Sequence, residues 1–276
     1  MVITVELFLI LFLLAFTCEF IDASIGMGYG TILAPLLIII GFSPVDAVPA
    51  ILLSQAFGGF TASFFHQQFN NVSYRGKSKD LNSVFIIVGF GVIAAIIAVF
   101  IAINIPKTYI KTYIGLLVVF MGAVLLLNKT FTFSWQKMMV IGIFSAFNKA
   151  LSGGGFGPVV TGGQILSGAR PGRAVGVTTL SEGPICIVSF FLYIIMRVIK
   201  EVEGPILEMP ASKFFSMIFS TQLFQWELLI ALLLGSIIVA PFAAFTTRLT
   251  GEKLHKIVGI LMLILGTLAL GRIYLF

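Results

Sequence analysis

Ser83–Ile103 runs for 21 residues with no charge and, after the serine, no strongly polar side chain. A helix of ~20 apolar residues matches the ~30 Å hydrocarbon core of a bilayer. The stretch is one of ten apolar segments: Val5–Ile21, Tyr29–Ile40, Val45–Phe65, Ser83–Ile103, Lys107–Leu127, Trp135–Ala150, Phe156–Leu166, Arg173–Ile199, Leu223–Thr246 and Lys253–Tyr274. Composition agrees. Of the 276 residues, 59% are hydrophobic and 10% charged, where soluble domains carry about 25% charged residues. So few charges cannot coat a soluble fold of this length. That excludes an ordinary soluble enzyme, a nucleic-acid-binding domain and a disordered chain. The expected fold is an all-α polytopic membrane protein of about ten transmembrane segments, with the lipid bilayer as its main partner.

Two segments, Tyr29–Ile40 and Phe156–Leu166, are too short to cross alone. At ~1.5 Å per residue they reach only about 16–18 Å. Each follows a glycine cluster, Gly26-Met-Gly28-Tyr-Gly30 and Gly153-Gly154-Gly155-Phe-Gly157. Short, glycine-interrupted segments at matching places in two halves point to a binding site built from broken helices.

The loops orient the chain. If segments alternate sides from an N-terminus on side A, side B holds Arg75, Lys77, Lys79, Lys129, Lys137, Arg170, Arg173, Arg248, Lys253 and Lys256. Side A holds Lys107, Lys111, Arg197, Lys200, Lys213 and Arg272, with Glu201, Glu203 and Glu208. An excess of Lys and Arg marks the cytoplasmic side. Both termini are therefore expected outside the cell (plasma) membrane, and the net charge of +6 is read as loop charge rather than a nucleic-acid footprint. Val5–Phe16 lacks a basic flank and an A-x-A site, so it reads as a retained first span. Cys18 and Cys186 form no CxxC or Cys/His cluster, and no metal site or cofactor is expected.

The glycine clusters belong to a longer match at an offset of 127 residues. Phe20/Phe147, Ala23/Ala150, Gly26/Gly153, Gly28/Gly155 and Gly30/Gly157 are identical, followed by Gly41/Gly168, Pro44/Pro171, Ala47/Ala174, Val48/Val175, Leu53/Leu180 and Ser54/Ser181. Later the offset becomes 144, with Gly115/Gly259 and Gly122/Gly266 aligned; the extra residues fit the loop around Arg197–Gln222. The chain thus reads as two five-segment repeats, 1–130 and 131–276, within one membrane domain. An odd number of crossings inverts the second copy, a common architecture of secondary transporters. The loop Gly41-Phe-Ser-Pro-Val-Asp46 has one acid, and its counterpart Gly168-Ala-Arg-Pro-Gly-Arg173 has two bases. Inversion with positive-inside sorting produces that swap.

Two halves that each carry G-x-G-x-G after the first span and G-x-x-P-x-x-A-V into the third resemble the sulfite exporter TauE/SafE family, the toluene sulfonate uptake permeases. The resemblance covers essentially the whole chain. Its Gly and Pro positions are structural and name no substrate. It implies a multi-pass plasma-membrane permease of two inverted five-helix halves, with a homodimer among its assemblies. It also implies sulfite, organosulfonates or related small sulfur anions as substrates.

The residues add their own reading. Glycine lets a backbone unwind and approach a ligand, and the next half-helix then offers free N–H groups to an anion. The alternative role of Gly26/Gly30 and Gly153/Gly157 is close helix packing. Lys149 is the basic residue well inside the apolar segments. It either holds an anion or snorkels to an interface. Its repeat counterpart is Asp22, and that of Glu182 is Gln55, so opposite or polar groups are expected to flank one cavity. Glu182 either couples a proton or bonds unwound backbone. Glu19, Asn148, Ser54 and Ser181 are expected along the same cavity. Glu19, Asp22 and Glu182 are coupling candidates; Arg170 and Arg173 recruit anions at the cytoplasmic mouth or anchor topology. His66 and His255 read as interface residues.

The function expected is a secondary permease for a small anion, probed against three rivals. An anion channel would show no alternation. A cation- or proton-coupled carrier of another solute would use Glu19, Asp22 and Glu182. An enzyme would need a catalytic cluster such as H-E-x-x-H, which the sequence lacks, and no G-x-x-x-x-G-K-[ST] supports ATP drive.

Overall fold

The computed structural model describes residues 3–126, 134–201, 210, 212, 216–217, 225–247 and 252–274. Among them are ten helices: α1 Val5–Ile25, α2 Tyr29–Ile40, α3 Pro44–Gln68, α4 Lys79–Asn104, α5 Lys107–Leu126, α6 Trp135–Ser152, α7 Phe156–Leu166, α8 Pro171–Glu201, α9 Trp226–Thr246 and α10 Glu252–Tyr274. The all-α expectation is met segment for segment. The boundary at 130/131, Lys129, Glu203, Glu208, Lys213 and Arg248 lie outside the described residues.

Local chemistry sets the helix ends. Thr4, Ser78 and Ser134 cap α1, α4 and α6, each side-chain oxygen accepting a first-turn N–H, as short hydroxyl side chains do. The two G-x-x-P turns are stop–start signals: Gly41 and Gly168 end one helix, and Pro44 and Pro171 open the next. Proline suits that first position because its missing N–H is not needed there.

Among the described residues, seven helices are long and apolar enough to cross a membrane: α1, α3, α4, α5, α8, α9 and α10. The other three are the two short segments and α6, whose 18 residues include Lys137, Asn148 and Lys149. Large apolar side chains line the outer faces at helical spacing, as in Ile230, Leu234, Ile238 and Phe242 of α9. Ile257, Ile260, Ile264 and Leu268 do the same on α10. In water such stripes would demand a partner; in lipid they are the solvated surface. This is a multi-pass membrane protein.

The packing has an exchange property. α1 packs on α9 as α6 packs on α4; α3 packs on α9 as α8 packs on α4; α3 meets α8, and α5 meets α10. Replacing each helix by its counterpart one repeat away leaves those pairings unchanged, as a two-fold relation between the halves would. The short helices α2 and α7 are enclosed by these pairs. Glu19, Asp22, Gln55, Lys149 and Glu182 are buried in the interior with them.

Candidate functional site

The two glycine clusters meet. Gly26 closes α1 by donating its N–H to the Asp22 carbonyl, and Gly153 closes α6 by donating to the Lys149 carbonyl at 2.8 Å. Both are left-handed, with φ of +79° and +78°, a conformation that side chains with a Cβ resist. The next half-helices then cross over each other. A Cβ on Gly30 would fall on the Gly153 carbonyl, and one on Gly157 on the Gly26 carbonyl. Two hydroxyls tie the breaks: Thr161 Oγ1 donates to the Gly26 carbonyl at 2.8 Å, and Thr31 Oγ1 accepts the Gly155 N–H at 3.1 Å. The crossing lies at mid-height, because Asp22 meets Gln55, about halfway along α3.

Asp22 sits at the C-terminal end of α1, where the helix dipole disfavours an acid. Its carboxylate reaches across the break instead, and Oδ1 accepts the Tyr29 N–H at the start of α2, at 3.1 Å. There the dipole favours it. Lys149, at the equivalent place on α6, already has the favourable sign. The anion-ready N–H groups read from the sequence are thus partly claimed from within: Tyr29 by Asp22, Gly155 by Thr31 and Gly154 by Ser152.

Between the breaks runs one polar chain. Lys149 Nζ lies 2.7 Å from Glu182 Oε1 and 3.5 Å from Gln55 Oε1. Gln55 Nε2 donates to Asp22 Oδ2 at 3.0 Å. Lys149 is 1% exposed and Glu182 2%. Lys149 therefore does not snorkel; among the described residues it is the one fully enclosed Lys or Arg. Glu182 spends one oxygen on Lys149, and its Oε2 has no partner. Asn148 Oδ1 accepts the Tyr113 hydroxyl, while its Nδ2 is unpartnered. Ser54 bonds the Tyr29 hydroxyl at 2.6 Å.

Asp22, Gln55, Lys149 and Glu182 are thus brought together, with Asn148 and Ser54 in buried positions on the same helices. Glu19 is buried on α1 with neither oxygen partnered. Ser181 donates to the Val177 carbonyl of its own helix. Arg170 and Arg173 are not in the site. With Arg75, Asp80 and Asn71 they line a separate cleft of about 290 Å³ at one end of the bundle, where Arg173 pairs with Asp80. Tyr74 beside that cleft donates to the Gly176 carbonyl at 2.7 Å, and burial pushes its hydroxyl pKa up. At the opposite ends of α3 and α8, Arg197 Nη2 meets Asp46 Oδ1 at 3.2 Å.

His66 corrects its sequence reading. It is enclosed rather than interfacial: Nε2 bonds the Ala23 carbonyl at 2.9 Å and Nδ1 bonds Asn71. The side chain of His255 lies outside the described residues. Sequence reasoning missed Tyr29, Thr31 and Thr161. Tyr29 carried a signal, an aromatic between two cluster glycines matched by Phe156. Thr161 carried none, because its partner is a carbonyl 135 residues away.

The site has no carboxylate–histidine pair and, among the described residues, no group of His, Cys, Asp and Glu arranged to hold a metal. Residues 11–269 match the family model described as sulfite exporter TauE/SafE. The chain is also 25% identical over 259 residues to a protein of Bacillus subtilis (strain 168) named probable membrane transporter protein YtnM, a match covering 88% of this chain and 75% of that protein. No solved structure matches the chain.

Proposed function

The chain belongs to the sulfite exporter TauE/SafE family of membrane transporters, and from that premise we propose that it is a secondary permease for a small sulfur-containing anion in the cell membrane. Sulfite and organosulfonates are the substrate class. The observation that carries this reading is Lys149, an enclosed cation set between two facing glycine breaks. An anion that enters takes the place of the Glu182 carboxylate on Lys149, so the ion pair is the resting form of the site. Its enclosure favours alternating access over an open channel: Lys149, Glu182, Gln55 and Asp22 are all buried. The halves rock about the breaks and expose the site to one side at a time. Positive-inside sorting places the Arg75–Arg170–Arg173 cleft in the cytoplasm and both termini outside.

A second reading has its own support. Three acids, Glu19, Asp22 and Glu182, accompany one Lys149 in the buried interior, an excess that suits a proton- or cation-coupled carrier of another solute. Purified protein in proteoliposomes separates the two. Labelled sulfite, alkanesulfonates and a panel of monovalent cations are offered under counterflow conditions. Saturable counterflow of a sulfur anion supports the first reading; movement of the cations alone overturns it.

A further inference from the structure

Glu19 is 0% exposed, and neither of its oxygens has a partner. It faces a corner between α3 and α9. A Cβ on Gly58 would stand 3.0 Å from Glu19 Oε1 and 2.9 Å from Ser236 Cβ. The hydroxyl of Ser236 is turned elsewhere, to the Ser54 carbonyl at 2.9 Å and the Leu233 carbonyl at 3.0 Å.

The protein holds a comparison of its own. The residues 127 positions after Glu19 and Gly58 are Ala146 and Ile185. Both border α4, the counterpart of α9, at Gly91. A Cβ on Gly91 would stand 2.9 Å from Ile185 Cδ1 and 3.0 Å from Ala146 Cβ. One corner is thus filled by an acid and a glycine, the other by an alanine and an isoleucine. The packing works with apolar atoms alone, so it does not require the carboxylate. An ionised carboxylate without partners in an apolar interior is costly, and ionisable residues inside membrane spans mark ion pathways.

Such a group is kept when it carries a cation or a proton. A metal cation asks for a cage of oxygens. Here the neighbouring hydroxyls are committed to other acceptors, Ser236 as above and Tyr29 to Ser54. The titratable groups around Glu19 are Cys18 and Asp22 on α1, Tyr29 on α2, Lys149 on α6, and Glu182 and Cys186 on α8. α3 and α9 face it with uncharged Gly58 and Ser236, and His66 of α3 is engaged with Ala23.

We propose that Glu19 is the proton carrier that couples anion movement to a pH gradient. This rests on the anion-permease reading and names its coupling ion. In the occluded state Glu19 holds a proton on one carboxyl oxygen. That proton lowers the negative excess which Glu19, Asp22 and Glu182 together set against Lys149, so an anion can enter. When the site opens to the other side, the proton leaves to water with the anion, and the carboxylate must take up another before the cycle repeats.

Glu19→Gln keeps the shape and removes the proton site. Infrared spectra of the purified protein should show the carbonyl stretch of a protonated carboxyl in wild type, and weaker intensity there in E19Q. In proteoliposomes, wild type should accumulate labelled sulfite or methanesulfonate under an imposed pH gradient. E19Q should no longer accumulate either, and its residual exchange should lose its pH dependence. Glu19→Asp, which retains an ionisable proton, should restore accumulation in part. The proposal is overturned if E19Q accumulates like wild type, if its exchange still follows pH, or if the carbonyl band is unchanged. A sodium gradient that drives wild type without a pH gradient overturns it as well. Wild type that moves no sulfur anion refutes the permease reading instead, and the infrared comparison then still decides whether Glu19 holds a proton.

Discussion

Lys149 and Glu182 can be tested as a unit. Their atoms lie 2.7 Å apart with both side chains enclosed. Removing one member of a buried pair leaves an uncompensated charge and costs about 3–5 kcal/mol. In a chain of this size each kcal/mol moves Tm by about 2–4 °C, so Lys149→Ala should lower Tm by roughly 6–20 °C. Glu182→Gln should sit near the low end, because an amide oxygen still accepts from Lys149. The double replacement Lys149→Met with Glu182→Gln removes both charges and keeps the volume. Exchanging a whole buried pair for neutral groups is often close to neutral, so the double should melt near wild type. Transport behaves differently: all three variants should lose anion counterflow, since each lacks the cation or the group that yields to the anion. Far-ultraviolet circular dichroism melts and vesicle counterflow measure the two quantities separately. A double variant that melts as low as the two losses added would refute the pairing. A double variant that still moves the anion would refute Lys149 as its ligand.

The backbone crossing gives a steric test. Gly30→Ala drives a Cβ into the Gly153 carbonyl, at a cost of about 1–3 kcal/mol for overpacking, and should abolish flux; normal flux would mean the breaks separate easily. Gly155→Val adds atoms against Leu117 Cδ2 at 3.0 Å and Asn148 Cβ at 3.2 Å on a left-handed backbone, and it should insert into the membrane but not transport. Thr161→Val strips the donor from the Gly26 carbonyl and should cost about 1–3 kcal/mol for the acceptor left buried, read as a drop in Tm; an unchanged melt would refute that tie. Asp80→Asn weakens a partly exposed pair with Arg173 in the cleft that both residues line, so stability should change by only about 0–1 kcal/mol while flux changes; unaltered flux would leave it a topology anchor.

Much of the fold could be read because lipid imposes strong rules. Span positions followed from run length, and the two short helices followed from glycine and proline placement, down to Tyr29–Ile40 and Phe156–Leu166 as they stand. Four site residues were legible as charges and amides beside those breaks. Their pairing was not. The offset matched Asp22 with Lys149 and Gln55 with Glu182, but Lys149 takes Glu182 and Asp22 takes Gln55. Which acid reaches the amine depends on where α8 passes α6, and no local pattern records that. His66 was misread for a related reason. It ends a span in sequence, yet the Asn71 turn and the Ala23 carbonyl close over it.

The sequence differences between the halves explain how two helix breaks of matching geometry hold a charged site. The repeat fixes the caps: Gly26 and Gly153 close their helices on the carbonyls of residues 22 and 149. Had both positions kept a lysine, two buried cations would face each other across the breaks; two aspartates would repel equally. One of each, with Gln55 bridging them, gives a chain in which every contact joins unlike partners. Asp46 and Arg173 diverge for another reason. They lie at opposite ends of the bundle, where each finds its own counter-ion, Arg197 and Asp80. Glu19 against Ala146 is the difference that neither charge balance nor topology demands. It adds an acid where its counterpart needs only a methyl group, and transport coupled to a proton is the use that such an acid supports.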